Sequence, residues 1–324
     1  MIAMKMKKLK CIENVGKMLF ACFPHFIYHY AFSFKYIWYA LIASNSKTNN
    51  LGISTNGKKE CVILGNGPSL KGFLKNEQNL GLLRDKFIIT VNDAVSSSYF
   101  GQIRPACHVL IDPSYWEDNL LDIHQSRMNQ FKQNMMLIDW PIDLVMPKSA
   151  SKKTALNGLK ENTYITFKYV NFSWPKKINI ERLRFMAYKI NKKAPDAQNV
   201  LIACCYIAIN VGSTRIILIG ADHSWHRSIC VDDKNCVCWD DSHHYDNEGL
   251  TLTPILKDLR GTEVFSMAEI LEALMITFKG YEEIEKYARY MGVEIFNATK
   301  GSSIDAFKRI SLDSMTHGQS KEVL

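Results

Sequence analysis

Two stretches of the chain hold residues whose types and spacing suit chemistry. The first is Gly65-Asn-Gly-Pro-Ser69, which closes a short apolar run over 61–64. Two glycines there let the backbone turn sharply and approach a ligand, while Ser69 can cap the helix that follows, and the free N–H groups of a helix start attract phosphate. The second is the polar stretch over 222–256, which holds Asp232, Asp233, Asp240, Asp241, His243, His244 and Tyr245. A histidine takes a proton from a hydroxyl near neutral pH, so His243 and His244 have the chemistry of a general base. The glycine loop matches neither G-x-G-x-x-G nor a P-loop ending in Gly-Lys-Ser/Thr, so neither dinucleotide nor Mg-ATP binding follows from it. A turn that merely joins a strand to a helix uses the same residue types.

These groups need a scaffold that brings distant residues to one crevice. Apolar runs of strand type at 61–64, 87–91, 108–111, 135–138, 215–219 and 293–296 alternate with polar or helical stretches. That alternation predicts an α/β fold, a Rossmann-like and mostly parallel sheet with helices on both faces, whose ligands lie beyond the carboxyl ends of the strands. Four such ends carry polar groups: Gly65, Asn66, Gly67, Pro68 and Ser69; Asn92 and Asp93; Asp112-Pro-Ser114; and Gly220-Ala-Asp222-His223. Each is an ordinary cap or turn by itself, and jointly they outline a binding crevice. Residues 199–210 read as an apolar helix of small residues and 265–291 as helices; 297–303 reads as a loop opening a further helix at Ile304. The prolines and lysines of 140–180 suggest an insertion or a small helical lid. The segment 222–256 is long for a connection and reads as a lid insertion with acid–base groups, or as a solvated, flexible one.

Composition narrows the class. With 324 residues and 47% hydrophobic content a substantial core is affordable, and disorder is not the default. The net charge of +8 gathers at Lys5, Lys7, Lys8 and Lys10 and near Lys152, Lys153, Lys176 and Lys177. It suits an anionic partner, but no basic stripe interleaved with aromatics argues for nucleic acid. Nine cysteines, an odd number with Cys204 and Cys205 adjacent, speak against a disulfide framework and for a reducing cytoplasm. Cys230-x5-Cys236-x-Cys238 lies between His223, His226 and the His243, His244 pair. Those are ligand types zinc prefers, yet the spacing lacks a paired C-x2-C, so the cysteines read as incidental and no metal is assigned.

Residues 1–60 form a basic, aromatic N-terminal helical arm and linker. Residues 18–34 lack formal charge and 36–43 are apolar, but Pro24, His25, His29 and Lys35 interrupt the run. Aromatics and lysines favour the headgroup layer of an anionic membrane, peripheral on the inner face; a span, or a soluble arm packed on the domain or on a second subunit of a homo-oligomer, are the alternatives. Residues 61–312 then form the catalytic domain and 313–324 a polar tail.

The residues also carry a family likeness. Gly65-Asn-Gly-Pro-Ser-Leu70, Asn92, Asp112-Pro-Ser114 and the helix–Gly212–strand–Gly220-x-Asp222 block resemble, in order and spacing, the bacterial sialyltransferases that modify lipooligosaccharide. They also resemble the related superfamily that includes 6-hydroxymethylpterin diphosphokinase-like proteins. The resemblance spans about residues 61–310. It implies a Rossmann-like domain with one nucleotide site and metal-independent, inverting transfer from a CMP-sugar to a glycan hydroxyl in surface-polysaccharide assembly, without a cofactor. It implies that Asn66 and the Gly65 and Gly67 backbone hold the nucleotide phosphate, with Asn92 near the nucleoside and donor sugar. The chain departs from the pattern at Asp112, where the family has a second Asn-Pro-Ser, and at Asn199-Val-Leu201, where it has Thr-Ser-Gly touching the nucleotide. It departs again at Ser242-His-His-Tyr245 with Glu248, where the family has His-Tyr and a later histidine as base. The base is therefore His244, His243 or Glu248. The diphosphokinase branch implies ATP and Mg²⁺ instead, with Asp112, Asp222, Asp240 and Asp241 as oxygen ligands. A non-catalytic nucleotide-binding protein is the third class.

Overall fold

In the computed structural model, residues 51–117, 120–172, 180–191, 193–240, 252–259 and 261–315 are described. The N-terminal arm, His243, His244, Glu248 and the tail beyond 315 lie outside them. The chain divides into two compact units, residues 50–174 with 194–324, and residues 1–49 with 175–193. The elements in chain order are β1 (Glu60–Leu64), α1 (Ser69–Leu74), α2 (Glu77–Gly81), β2 (Phe87–Val91), α3 (Phe100–Ile103), β3 (Cys107–Val109) and α4 (Asp122–Met136). They continue with β4 (Ile142–Pro147), β5 (Ile165–Val170), α5 (Glu181–Lys189), α6 (Val200–Asn210) and β6 (Arg215–Ile219). The last are β7 (Ile229–Val231), β8 (Val237–Asp240), β9 (Leu252–Pro254), α7 (Met267–Met291), β10 (Glu294–Asn297) and β11 (Lys308–Arg309). Helix α5 belongs to the smaller unit; the other elements make up the larger.

The larger unit is the expected α/β fold. Eight strands in the order β11-β10-β6-β1-β2-β3-β4-β5 make one sheet, with every neighbouring pair parallel. Strand β1 is central because Cys61–Leu64 is apolar throughout and buried, as a strand covered on both faces must be. It pairs with β2 from Cys61↔Phe87 to Leu64↔Thr90 and with β6 from Glu60↔Arg215 to Leu64↔Ile219. Helix α6 has no polar stripe, and its residues Val200 to Ile209 are all buried, which fits a helix enclosed on every side. Helix α7 starts at a capping box, Ser266 with Glu269, the local signal that sets where so long a helix begins.

Four expectations are corrected. Residues 135–138, read as a strand, lie at the end of helix α4, whose buried Met128, Phe131 and Met135 fall at helical spacing. The strand that follows β3 is instead β4, inside the stretch read as an insertion. Asp143 within it and Pro147 at its end hid the pattern, although Lys168 of β5 lies 3.9 Å from the Asp143 carboxylate. No helix opens at Ile304; residues after it form the short edge strand β11 beside β10. The 222–256 segment carries more order than a lid loop needs, since β7, β8 and β9 form a three-stranded antiparallel sheet within it. Among the described residues no helix is long and apolar enough to cross a membrane.

Candidate active site

The chain runs outward from β1 through β2, β3, β4 and β5, then returns to place β6 on the other side of β1. A crevice opens beyond the carboxyl ends where the direction reverses, the usual ligand position of an open parallel sheet. The loops after β1 and β6 meet there. Gly65 N–H donates to the Ile219 carbonyl and Gly67 N–H to the Gly220 carbonyl, each at 2.8 Å. A methyl group on Gly65 would stand 2.5 Å from the Gly220 oxygen, and one on Gly67 would stand 2.6 Å from the same atom and 1.9 Å from Asp222 Oδ2. Both glycines are therefore required by the contact between the loops themselves.

Asp222 sits at the start of α1. Its Oδ2 accepts from the Ser69 hydroxyl at 2.8 Å and from the Ser69 N–H at 3.4 Å. Ser69 is thus the first helical residue and not a cap. The helix start expected to receive a phosphate faces a carboxylate of the protein.

Beside these loops is a cavity of about 580 Å³. Asn66, Gly67 and Pro68 line it from the first strand end, Asn92 and Asp93 from the second, and Asp222 and His223 from the end of β6. Asn199, Val200 and Leu201 at the start of α6 face it, as do Arg127, Trp225 and Trp239. Seven of the sequence-derived nucleotide residues, Asn66, Gly67, Pro68, Asn92, Asn199, Asp222 and His223, are brought to one wall-to-wall space. Gly65, Ser69 and Asp112 are not among the lining residues.

Asn92 adopts a left-handed backbone, φ 48°, and its Oδ1 is buried with no hydrogen-bond partner. Its main-chain oxygen accepts from His108 Nε2 at 2.9 Å. A carbonyl can only accept, so that nitrogen carries the proton, and Nδ1, 2.9 Å from Thr90 Oγ1, receives the threonine's. His108 is fully buried, and burial pushes its pKa down to about 4. Asn66 ties the first two strand ends together, its Nδ2 donating to the Val91 carbonyl at 3.2 Å.

His223 has the second left-handed backbone in the cavity, φ 50°. Burial lowers its pKa to about 4 as well, which keeps the ring neutral at pH 7. The Tyr281 hydroxyl lies 2.9 Å from its Nε2 and donates its one proton to Asn199 Oδ1 at 3.1 Å, so the imidazole N–H is the donor toward the phenol. Asn199 Oδ1 also accepts from Leu201 N–H at 2.8 Å and so caps α6. Trp225 also packs on the imidazole, 4.2 Å between ring centroids.

Arg127 is held by a third set of contacts. Its Nε donates to Asp93 Oδ2 at 2.6 Å and its NH2 to the Tyr115 hydroxyl at 2.7 Å, with Asp112 Oδ2 3.6 Å from NH1. Tyr115 in turn donates to Asp93 Oδ1 at 2.6 Å. Asp112 thereby acts on the cavity through Arg127, while its Oδ1 caps the following turn by accepting from Ser114 N–H. Arg127, Tyr281, Trp225 and Trp239 were not singled out from sequence. Arg127 and Tyr281 sit in the middle of amphipathic helices, where nothing local separates a site residue from an ordinary one.

A family model described as 6-hydroxymethylpterin diphosphokinase MptE-like matches residues 38–228. No curated protein matches the sequence. Among solved structures, the MAf glycosyltransferase from Magnetospirillum magneticum AMB-1 is similar over 87% of this chain at 14% identity, with a TM-score of 0.44. The chain spans 38% of that protein's length.

Proposed function

The chain belongs to the 6-hydroxymethylpterin diphosphokinase MptE-like family, and on that premise we propose that it is a nucleotide-dependent transferase moving a sugar from a nucleotide-sugar, a CMP-sugar in first place, to a glycan hydroxyl. The observation that carries this reading is Asn92. A buried amide oxygen without a partner costs about 1–3 kcal/mol, and a left-handed non-glycine backbone adds to that cost. Both burdens fall on one cavity-lining residue. Rotation of the amide toward the cavity would let a ligand with an N–H or O–H to donate, such as a base amino group or a ribose hydroxyl, satisfy that oxygen. The indoles of Trp225 and Trp239 offer faces for the base or the sugar.

Charge favours a lightly charged donor. The described lining carries two carboxylates, Asp93 and Asp222, against the single guanidinium of Arg127. One phosphate is tolerated there more readily than a polyphosphate, which needs a cation beside it. The start of the eleven-residue α6 is the better-placed electropositive group for the departing phosphate, because Asp222 already meets the start of α1. His223 keeps Asn199 and the α6 start in place through Tyr281. We assign proton removal from the acceptor to His244, His243 or Glu248; turnover and donor affinity of each single variant identify which. The basic aromatic arm would bring this chemistry to an anionic membrane surface where glycan acceptors are assembled.

A second reading, an ATP- and Mg²⁺-dependent diphosphokinase, is favoured by Asp93 and Asp222 standing on one cavity. Mg²⁺ is bound through one or two carboxylates together with substrate phosphates, and these are the two that would hold it and neutralise phosphate charge. A thermal-shift panel separates the readings, since a ligand of the folded state raises the melting temperature by mass action. Stabilisation by CMP or a CMP-sugar without Mg²⁺ supports sugar transfer. Stabilisation by ATP only with Mg²⁺ moves the assignment to the kinase, and no response to any nucleotide removes both. In the same assay Asn92→Gly should leave the unliganded protein as stable as before or more so, because the positive φ and the unpaired oxygen both disappear. Nucleotide affinity should fall about tenfold or more, the value of one lost buried hydrogen bond. Undiminished affinity would take Asn92 out of the site.

A further inference from the structure

We propose that the β7–β8 hairpin is a binding site for a thiophilic divalent cation of the zinc type, with Asp232, Cys236 and Cys238 as ligands, separate from the nucleotide crevice. One ligand atom from each of the three lies within 4.8 Å of the others. On a tetrahedral zinc, with Zn–S about 2.3 Å and Zn–O about 2.0–2.2 Å, neighbouring ligands stand about 3.5–3.8 Å apart. Small side-chain rotations close that difference.

The hairpin register explains why the ligands converge. Cys230 lies opposite Cys238 and Val231 opposite Val237, and the Asp232 N–H donates to the Cys236 carbonyl at 3.0 Å, which sets Asp232 across from Cys236. Side chains alternate between faces along a strand. Residues 230, 232, 236 and 238 therefore share one face, while Ile229, Val237 and Trp239 join Ile255 and Ile270 in an apolar cluster. Asp232 Oδ1 accepts from the N–H groups of Lys234 and Cys236 at 2.9 and 2.8 Å. Those bonds fix the carboxylate at the mouth of the turn and leave its other oxygen for a metal. Cys230, opposite Cys238 on the same face, is the side chain placed to take a fourth position.

The spacing is that of a ladder, two residues along one strand and one directly across, and not that of a C-x2-C knuckle. Cys236 and Cys238 point the same way from one strand, so their Cβ atoms stand too far apart for a disulfide, which needs about 3.5–4.5 Å. The two soft thiolates select zinc over magnesium or calcium, and the one hard carboxylate is a ligand that zinc also accepts. Binding through Asp232, Cys236 and Cys238 displaces two thiol protons to solvent and leaves the loaded site with a single negative charge, the fourth position being held by water; entry of Cys230 in place of that water would release a third proton and leave two negative charges. The clip would join β7 to β8 on one face while Trp239, on the other, forms part of the crevice wall. Loading the metal would thereby steady that wall.

The test uses the full-length chain, reduced, stripped with a chelator and titrated with Zn²⁺ alone and with Co²⁺ alone. The expected result is one zinc per chain, a rise in melting temperature, and thiolate-to-cobalt charge transfer with tetrahedral visible bands. Cys236→Ser and Cys238→Ser should each weaken binding by about 100-fold or more, since each removes a thiolate ligand. The wild-type titration depends on no variant folding. Absence of the cobalt charge-transfer band at one equivalent, a band unchanged in both serine variants, or a Cys230–Cys238 disulfide in the reduced preparation would each overturn the site.

Discussion

Gly65→Ala and Gly67→Ala are each expected to lower the melting temperature by about 5–10 °C, from a loss of about 3 kcal/mol. The loops after β1 and β6 are joined back to back by the Gly65 and Gly67 N–H bonds to the Ile219 and Gly220 carbonyls. There is no room for a methyl group between them. At Gly65 it meets backbone only, the Gly220 oxygen at 2.5 Å and its carbon at 3.0 Å. Backbone in a parallel sheet yields by opening the loop pair, which breaks those bonds and widens the crevice. At Gly67 the nearest atom is a side-chain oxygen, Asp222 Oδ2 at 1.9 Å, with the Gly220 oxygen behind it at 2.6 Å. The two variants should therefore part in a double-mutant cycle. Asp222→Ala should recover some of the loss in Gly67→Ala and none of it in Gly65→Ala. Urea unfolding of the single and double variants checks this; a wild-type melting curve for either glycine variant would mean that the loops do not approach as described.

The second large effect is loss of stability in mild acid. His108 and His223 are both buried, and burial holds each near a pKa of about 4 against an ordinary value of 6.5. Between those values the unfolded chain binds protons that the folded chain refuses, so stability rises with pH. The contribution is fully present above about pH 6.5 and is lost as pH falls toward 4, at about 1.4 kcal/mol per pH unit for each histidine. Protonation of His108 would also put a second proton on the imidazole, against the Thr90 hydroxyl that now donates to it. Urea midpoints measured from pH 7.5 down to 4.5 should show the slope, and His108→Gln, which cannot titrate in this range, should flatten it by one histidine's share even though lost packing against Phe131 and Phe100 lowers stability throughout. An unchanged slope in that variant would assign the acid sensitivity to other groups.

Much of the parallel sheet could be read from the chain alone, because β1, β2 and β6 are short runs in which four of the five residues are apolar and buried, Glu60, Thr90 and Arg215 being the exceptions, and such runs fit a doubly covered strand. The polar residues following them were equally legible, and the parallel topology alone requires that they share one end of the sheet. That reasoning accounts for Asn66, Asn92, Asp222 and His223 lining one cavity. It could not find β4, where Asp143 interrupts the apolar pattern and its balancing charge lies on another strand, at Lys168. Nor could it tell that the α1 start is already met by Asp222, 153 residues away from Ser69. The site's remaining members depend on contacts across the fold. Tyr281 reaches His223 across 58 residues and Arg127 reaches Asp93 across 34, and neither has a local pattern to mark it. The same holds for the cysteines of the hairpin. Their spacing argued against a metal as long as it was compared with a knuckle, and only the strand register, which sets residues of two strands on one face, brings Asp232, Cys236 and Cys238 together. Sequence periodicity determines which residues face the core, because burial acts on each side chain locally. Which polar groups meet at a strand end depends on the packing of all the strands, and that is decided by the tertiary structure.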